Sequence, residues 1–224
     1  MSVARRKVVV TAGPTREHVD PVRYISNESS GRMGFELAAA AARAGDRVIL
    51  VAGPVHLETP PGVTRVDVTS ARDMLAAVKA AFLGAEGRSR AHFGKTGADA
   101  LFMAAAVGDW RPKRRRAGKW RAKDCGDEVA TLELVRNPDI LATVGAAKGD
   151  RLVVGFALET GDGVRRARRK LVRKSADHIV LNDPTALGGA RTSVTVIGRD
   201  GGEVRLINRT KRAVAEALVA LGRP

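Results

Sequence analysis

The chain has 224 residues, 44% of them hydrophobic, which is enough for one globular domain with a substantial core. It has no window of eighteen apolar residues, and a basic amino terminus runs directly into an apolar strand without a small-residue cleavage site. We therefore expect a cytoplasmic protein without a membrane span. The single cysteine, Cys125, excludes an internal disulfide, and the four histidines lack metal-ligand spacing, so the sequence predicts no zinc site.

Strand-like and helix-like patterns alternate along most of the chain. Apolar runs predict strands at residues 7–12, 47–52, 63–68, 98–105, 152–157 and 178–181. Helical patterns cover residues 33–44, 71–83, 138–147 and 164–174. Continuous apolar strands that alternate with helices are typical of a parallel sheet covered on both faces. We predict an α/β fold, a three-layer αβα Rossmann-like parallel sheet, with ligands at the carboxyl ends of its strands.

The last third of the chain departs from this alternation. Residues 193–198 and 203–207 flank a glycine-rich turn and predict a β-hairpin, and a helix is expected over 210–221. Between the fourth strand and Asn137, residues 107–136 lack a helical pattern, and such spans are usually functional flaps or arms. We expect a single domain, 1–224, that carries this arm at 107–136 and the hairpin within 193–207. Asn137-Pro138 predicts a helix start with the proline in the first helical position.

The first passage from strand to helix contains a candidate phosphate site. The apolar strand ends at Gly13, and the turn before the next helix contains Ser29, Ser30 and Gly31. Hydroxyls, a close backbone approach at glycine and the free N–H groups of a helix start all favour an anion. The spacing matches neither common nucleotide-binding glycine motif, and a Ser-Ser-Gly turn by itself is more often a simple helix cap.

The formal net charge of +15 is concentrated in two short segments. Residues 111–123 contain eight cations and no acid, and residues 165–174 contain seven cations and no acid, which together equal the whole excess. Such clusters suit a polyanionic small ligand or a nucleic-acid backbone. A basic nucleic-acid-binding α/β protein is therefore the alternative function. The low aromatic content, 4%, weighs against it because single-stranded nucleic acids are usually bound on stacking side chains.

Five separated segments resemble one enzyme family, phosphopantothenoylcysteine synthetase, in order and almost from end to end. They are TAGPTRE at 11–17, PVRYISN with SSGRMG at 21–34, AAAV with DW at 104–110, NPDI at 137–140, and VGFA with ET at 154–160.

The resemblance implies a reaction in two steps. The carboxylate of 4′-phosphopantothenate attacks the α-phosphate of CTP to give an acyl-cytidylate and pyrophosphate, and L-cysteine then displaces CMP. CTP with Mg²⁺ is the expected co-substrate, although the residues alone fit ATP as well. The resemblance further implies a homodimer with Asn27 near the partner's site. The arm and the hairpin are our candidates for pairing across its two-fold axis. It also implies a phosphopantothenoylcysteine decarboxylase, either separate or fused, as a partner.

The same resemblance assigns roles to individual residues. Lys119 aligns with the family lysine that forms the acyl-cytidylate, and Asn27, Arg23 and Ala105 align with residues of the second step. Asp109 is a candidate for a ribose or magnesium contact, since it follows the end of a strand. The implied nucleotide site consists of Met103, Ala104, Ala105, Asp109, Lys119, Pro138, Asp139, Ile140, Leu141, Phe156, Lys170 and Lys174.

Two positions depart from the family pattern. Lys119 is followed by Trp120, Arg121 and Ala122, where the family usually has further lysines, so only the first lysine of the run is kept. Arg121 or Lys123 could supply the missing charge, but arginine and lysine differ in geometry. Gly108 stands where an alanine is common. Neither position is one to which we assign chemistry.

Overall fold

The computed structural model describes residues 5–84, 93–121, 129–159, 161–182 and 191–223. Its strands, numbered in chain order, are β1 Lys7–Ala12, β2 Arg16–His18, β3 Tyr24–Ser26, β4 Arg47–Ala52, β5 Val63–Asp67, β6 Ala100–Met103, β7 Trp110–Pro112, β8 Leu134–Arg136, β9 Leu152–Leu158, β10 His178–Asn182, β11 Arg191–Gly198 and β12 Glu203–Thr210. Its helices are α1 Arg32–Arg43, α2 Ala71–Val78, α3 Ile140–Ala146, α4 Gly163–Arg173 and α5 Lys211–Val219, and a π-helical turn, Lys79–Leu83, continues α2.

The main sheet has the strand order β12-β11-β10-β9-β6-β1-β4-β5. Strands β10 to β5 in this order are mutually parallel, and β11 and β12 are antiparallel. The predicted α/β fold is confirmed, and the hairpin has a definite place in it. It extends the sheet at the β10 edge, where Ile179 pairs with Ile197, so the sheet is mixed rather than purely parallel.

Helices cover both faces of the sheet, as expected from the apolar strands. Val8 and Val10 of β1 join the cluster formed with α1 and α5, whereas Val9 joins the cluster formed with α2, α3 and α4. All three valines are fully buried. Because alternate residues of a strand point to opposite faces, one apolar strand contributes to both layers of core. Each such side chain contributes roughly 1.5–3 kcal/mol of stability.

Element boundaries differ from the predicted ones at several ends. Helix α3 begins at Ile140, and the Asp139 side chain caps it by accepting from the Ala142 N–H at 3.0 Å. Pro138 therefore lies before the cap, and its predicted place in the first helical turn is wrong. The predicted fourth strand, 98–105, is shortened to β6 because the Ala105 N–H turns to the Thr11 hydroxyl at 3.1 Å. No helix within the described ranges is long and apolar enough to cross a membrane.

Strands β1 and β6 are parallel neighbours, and the order in which successive strands are added to the sheet reverses between them. The loop after β1 leads to α1 on one face, and the loop after β6 leads to α3 on the other. In open α/β sheets this reversal leaves a crevice at the carboxyl ends of the two strands, where ligands bind. Most of the predicted site residues follow these two strands in the sequence.

Candidate functional site

The loops after β1 and β6 are joined by backbone hydrogen bonds beyond the end of the sheet. The N–H of Thr15 donates to the carbonyl of Ala106 at 3.2 Å, and the N–H of Ala106 donates to the carbonyl of Gly13 at 2.9 Å. The Thr15 hydroxyl, which is fully buried, accepts from the N–H of Gly108 at 2.9 Å. These bonds join residues 13–15 to residues 106–108, so each of these groups has a hydrogen-bond partner in the neighbouring loop.

Asn27 contacts these joined loops. The short β2–β3 hairpin brings it back over the β1 loop, and the Ser26 hydroxyl anchors the turn by donating to the carbonyl of Thr15 at 2.8 Å. The exposed side chain of Asn27 then donates from Nδ2 to the carbonyl oxygen of Ala106 at 3.2 Å. The structure thus brings together Asn27 and the Ala105–Ala106 backbone, which are 79 residues apart in the sequence.

The candidate phosphate turn is open at the start of α1. Gly31 is the N-cap residue with φ 75°, and no side chain caps the helix. Ser29 instead accepts from the N–H of Gly31 at 3.4 Å and donates its own N–H to the carbonyl of Asn27 at 2.9 Å. The simple capping interpretation of the two serines is therefore not what the structure shows. Ser29, Ser30, Gly31 and Gly13 remain the predicted phosphate residues.

Glycines allow this turn to pack closely on the sheet. Gly13 has φ 76°, a left-handed backbone that disfavours side chains. At Gly34 a Cβ atom would overlap the Cβ of Ala12, and at Gly53 it would overlap the carbonyl oxygen of Pro14. The β1 loop is thereby held between α1 and the loop after β4, with its backbone facing the crevice.

Arg23 is held by a buried carboxylate, Asp20. Its Nε donates to Asp20 at 2.9 Å, and its guanidinium also donates to the carbonyl of Trp120. Burial works to raise the pKa of Asp20. Backbone hydrogen bonds from Trp120, Val22 and Arg23, together with the charge of Arg23, outweigh it and lower that pKa to about 2. Asp20 therefore stays ionised at neutral pH.

Lys119 immediately precedes the arm residue that binds this carboxylate. Its side chain is exposed, and the next residue, Trp120, donates its N–H to Asp20 at 3.0 Å. The contacts of this segment place Lys119 near Arg23, one of the residues that the family resemblance assigned to the second step. Arg121 is also exposed, whereas Lys123 and Cys125 lie outside the described residues.

A second group of predicted residues meets around two lysines of α4 and its end. Lys170 donates from Nζ to the carbonyl of Phe156 at 2.7 Å, and Lys174 forms an ion pair with Asp139. Burial lowers the pKa of Lys170, and the charges of Glu159 and Asp109 oppose this shift. Burial also lowers the pKa of Lys174, with Asp109 again opposing it. The loops after β6, β8 and β9 and the helix α4 thus place two cations near the Asp109 carboxylate.

Other residues of the predicted nucleotide site have side chains in the core. Met103, Ile140 and Leu141 are each at most 7% exposed, so their backbone atoms alone could contact a ligand. The Ala142 N–H of the short helix α3 is already taken by Asp139. This N–H group is therefore not free to bind a nucleotide.

Asn137, expected from the sequence only as a helix start, also helps to form the site. Its Nδ2 donates to the carbonyl of Gly108 at 2.8 Å, and its N–H donates to the carbonyl of Asp109 at 2.8 Å. Asn137 thus fixes the loop that carries Asp109. The sequence signal for it was its position in the NPDI segment, next to Pro138, Asp139 and Ile140, which the resemblance assigned to the nucleotide site.

The described acidic, histidine and cysteine side chains form no group of three that could hold a metal ion. Asp109 remains an exposed carboxylate beside the two lysines. Mg²⁺ commonly takes one or two protein carboxylates and completes its shell with substrate phosphates and water. The donor set present fits that mode of binding and requires no cage made of protein alone.

Comparison with known proteins identifies the family. The family model described as DNA/pantothenate metabolism flavoprotein C-terminal domain (DFP) matches residues 3–221. The chain belongs to the DFP family. The resemblance found in the sequence is thereby confirmed.

Relatives of this DFP chain include two bacterial proteins named coenzyme A biosynthesis bifunctional protein CoaBC. The one from Vibrio cholerae is 43% identical over 222 residues, which are 96% of the chain and 52% of the relative. The one from Bacillus subtilis is 43% identical over 201 residues, which are 88% of the chain and 46% of the relative. The chain therefore spans about half the length of these relatives.

A solved structure shows the same fold. The crystal structure of the C-terminal domain of a CoaBC protein superposes with a TM-score of 0.78 at 37% identity, covering 96% of this chain and 92% of that one.

Proposed function

We propose that this chain is a phosphopantothenate–cysteine ligase that uses CTP and acts in coenzyme A biosynthesis. The observation that carries the proposal is the meeting of two groups of side chains at the loop after β6. Asn27 donates to the Ala106 carbonyl of this loop, and Asp109, farther along the same loop, lies near Lys170 and Lys174. The CoaBC relatives, which are named for coenzyme A biosynthesis, support the same assignment.

The proposed reaction has two balanced steps. A carboxylate oxygen of 4′-phosphopantothenate attacks the α-phosphorus of CTP, and the bond to pyrophosphate breaks. The amine of L-cysteine then attacks the acyl carbon, CMP leaves with the bridging oxygen, and the amine loses a proton. Activation is needed because a free carboxylate is a poor acylating agent, and the enzyme stabilises charge on the transferring phosphates.

On the nucleotide side, Lys170 and Lys174 act as point charges toward the phosphates. Phe156 supplies an apolar wall for the base, while Asp109 contacts the ribose or the Mg²⁺ that the triphosphate carries. Mg²⁺ supplies charge neutralisation when it is bound with the nucleotide. Lys119 approaches the α-phosphate from the arm. The remaining predicted contacts come from the backbone of 103–105 and 138–141.

On the acyl side, the open start of α1 with Gly13, Ser29, Ser30 and Gly31 binds the phosphate of phosphopantothenate. Asn27 and Arg23 then lie where the acyl intermediate must meet cysteine. An amide and a guanidinium both donate hydrogen bonds, so they can orient the carbonyl oxygen on which charge develops. Ala105 belongs to this side through its neighbour Ala106, which accepts from Asn27.

A nucleotide panel tests this proposal. CTP, ATP, GTP and UTP are supplied with phosphopantothenate and cysteine, and pyrophosphate release is measured. We expect full turnover to CMP and pyrophosphate only when CTP, phosphopantothenate and cysteine are all present, whereas the first step alone releases pyrophosphate without cysteine. Release of a nucleoside diphosphate with orthophosphate would exclude nucleotidyl transfer. Salt-sensitive binding of oligonucleotides that CTP does not displace would favour the alternative nucleic-acid function.

The assembly is part of the same proposal. We expect a cytoplasmic homodimer of a single-domain chain that works with a phosphopantothenoylcysteine decarboxylase, fused or separate. Strand β12 supports an association because it is an edge strand whose Val204 and Ile207 are 59% and 67% exposed. Strand β7 of the arm pairs with β8 of its own chain, and pairing of the arm with the hairpin of the partner stays a prediction. Sedimentation that shows a fully active monomer would contradict the dimer.

A further inference from the structure

Asp20 is a buried acid to which the proposed chemistry gives no role. Its side chain is fully buried, yet four donors from two distant segments converge on it. Oδ1 accepts from the backbone N–H groups of Val22 and Arg23, each at 2.8 Å. Oδ2 accepts from Nε of Arg23 at 2.9 Å and from the N–H of Trp120 at 3.0 Å. The carboxylate thus links its own turn to the arm, 100 residues away.

Three further contacts hold the same stretch of the arm. The N–H of Arg116 donates to the carbonyl of Val19 at 2.8 Å, and its guanidinium lies 4.3 Å from the centre of the Trp120 ring. Arg23 donates to the carbonyl of Trp120. Residues 116–120 are therefore attached at both ends to residues 19–23, and Lys119 lies inside the attached stretch.

We propose that Asp20 is a positioning residue that fixes the Lys119 arm and Arg23 relative to each other, so that one carboxylate sets the place of groups from both reaction steps. The inference rests on the proposed function for the roles of Lys119 and Arg23. Asp20 itself contacts none of the substrates and acts only through its hydrogen bonds.

The geometry requires a carboxylate and not merely a polar side chain. An ionised acid accepts at both oxygens, and hydrogen bonds to a charged acceptor are about twice as strong as neutral ones. An asparagine at position 20 could still accept from Val22 and Arg23 at one oxygen. Its NH₂ group would face both the Trp120 N–H and the Arg23 guanidinium with donor against donor, so the bonds that hold the arm and Arg23 to this side chain would be lost together.

The test uses Trp120 as the probe of arm attachment. The chain has two tryptophans, so Trp110→Phe leaves Trp120 as the only one. In that background, Asp20→Asn is compared with Asp150→Asn, which changes an exposed acid. We expect Asp20→Asn to raise acrylamide quenching of Trp120 about threefold and to slow pyrophosphate formation about tenfold, because the charged hydrogen bonds that hold the arm and Arg23 are both lost. The KM for CTP should stay within twofold.

Unchanged quenching would overturn the inference whatever the activity. Increased quenching with an unchanged rate of pyrophosphate formation would also overturn it, since the arm would then be detached from Asp20 without any effect on the reaction. If Asp20→Asn does not fold, Trp120→Pro is compared with Trp120→Ala, since both lack the indole ring and only the proline also lacks the N–H that donates to Asp20. Equal rates of pyrophosphate formation in these two variants would then overturn the inference. Because quenching needs no substrate, failure of the proposed ligase activity is recognised separately, as absent pyrophosphate formation in the unsubstituted protein.

Discussion

Asn27 and Ala106 are joined by a hydrogen bond of 3.2 Å from an exposed side-chain amide to a backbone carbonyl. The bond connects the turn that leads to α1 with the loop after β6, and these loops leave the sheet toward opposite faces. An amide can bridge them because it donates to the carbonyl and still has an oxygen and a second N–H for a ligand. The two sides of the proposed active site therefore meet at this contact.

Asn27→Asp should block the second step selectively. A carboxylate at position 27 would face the Ala106 carbonyl without a hydrogen to donate, so the side chain would turn away and its charge would repel the intermediate. We expect acyl-cytidylate to accumulate and product formation to fall by at least about 100-fold, as for loss of one donor to a developing oxyanion. Rapid-quench analysis of both steps measures this. Normal product formation would remove Asn27 from the mechanism.

Lys119→Gln should abolish formation of the intermediate, because a neutral amide cannot offset charge on the α-phosphate. Lys113→Gln is the matched control on the same arm, where the lysine pairs with Glu133 in an exposed contact that contributes little. Pyrophosphate release without cysteine distinguishes the two variants. An equal rate loss in both would show that the effect is not specific to Lys119.

Lys170→Gln should weaken nucleotide binding. The ammonium is partly buried beside Asp109, and its removal takes one charge-assisted contact from the phosphates. We expect the KM for CTP to rise about tenfold with a smaller change in kcat. Lys95→Gln, in an exposed loop that precedes β6, serves as control. A KM equal to that of the unsubstituted chain would place the nucleotide elsewhere.

Gly53→Ala should destabilise the fold and distort the β1 loop, because the added methyl would overlap the carbonyl oxygen of Pro14. Overpacking of this kind costs about 1–3 kcal/mol. Gly118→Ala meets no atom within 4 Å and is the control for stability. Urea unfolding measures both variants, and equal stabilities would contradict the close approach of the two loops.

The contribution of Asp20 to the free energy of unfolding should be lost in acid. Its pKa is lowered from 3.8 to about 2 in the folded chain, so folding favours the ionised form. The stabilisation is complete above the unfolded value of about 4 and is lost as the pH falls toward the folded value of about 2. Urea unfolding at pH 6 and pH 3 should therefore show that the advantage over Asp20→Asn shrinks at the lower pH. An advantage that does not depend on pH would contradict the shift.

Much of the architecture was readable from the sequence. Continuous apolar runs such as β1 and β4 predicted parallel strands because side chains covered on both faces must all be apolar. The segments around Asn27 and Asn137 predicted the family because they occur in order at matching spacings. Amphipathic periodicity likewise located α1 and α4, since only one stripe of each helix packs on the sheet.

Only the tertiary structure decided which of these segments touch. The bond from Asp20 to Trp120 joins residues 100 positions apart, and no local pattern encodes such a contact. The start of α3 was misplaced because Asp139, a capping side chain, competed with the proline signal one residue earlier. The hairpin was predicted from its turn, but its place at the β10 edge depends on cross-strand pairing. The local sequence determines the hydrophobic periodicity of each helix or strand and the residues of each turn. Long-range hydrogen bonds and charge pairs form only once the strands lie side by side.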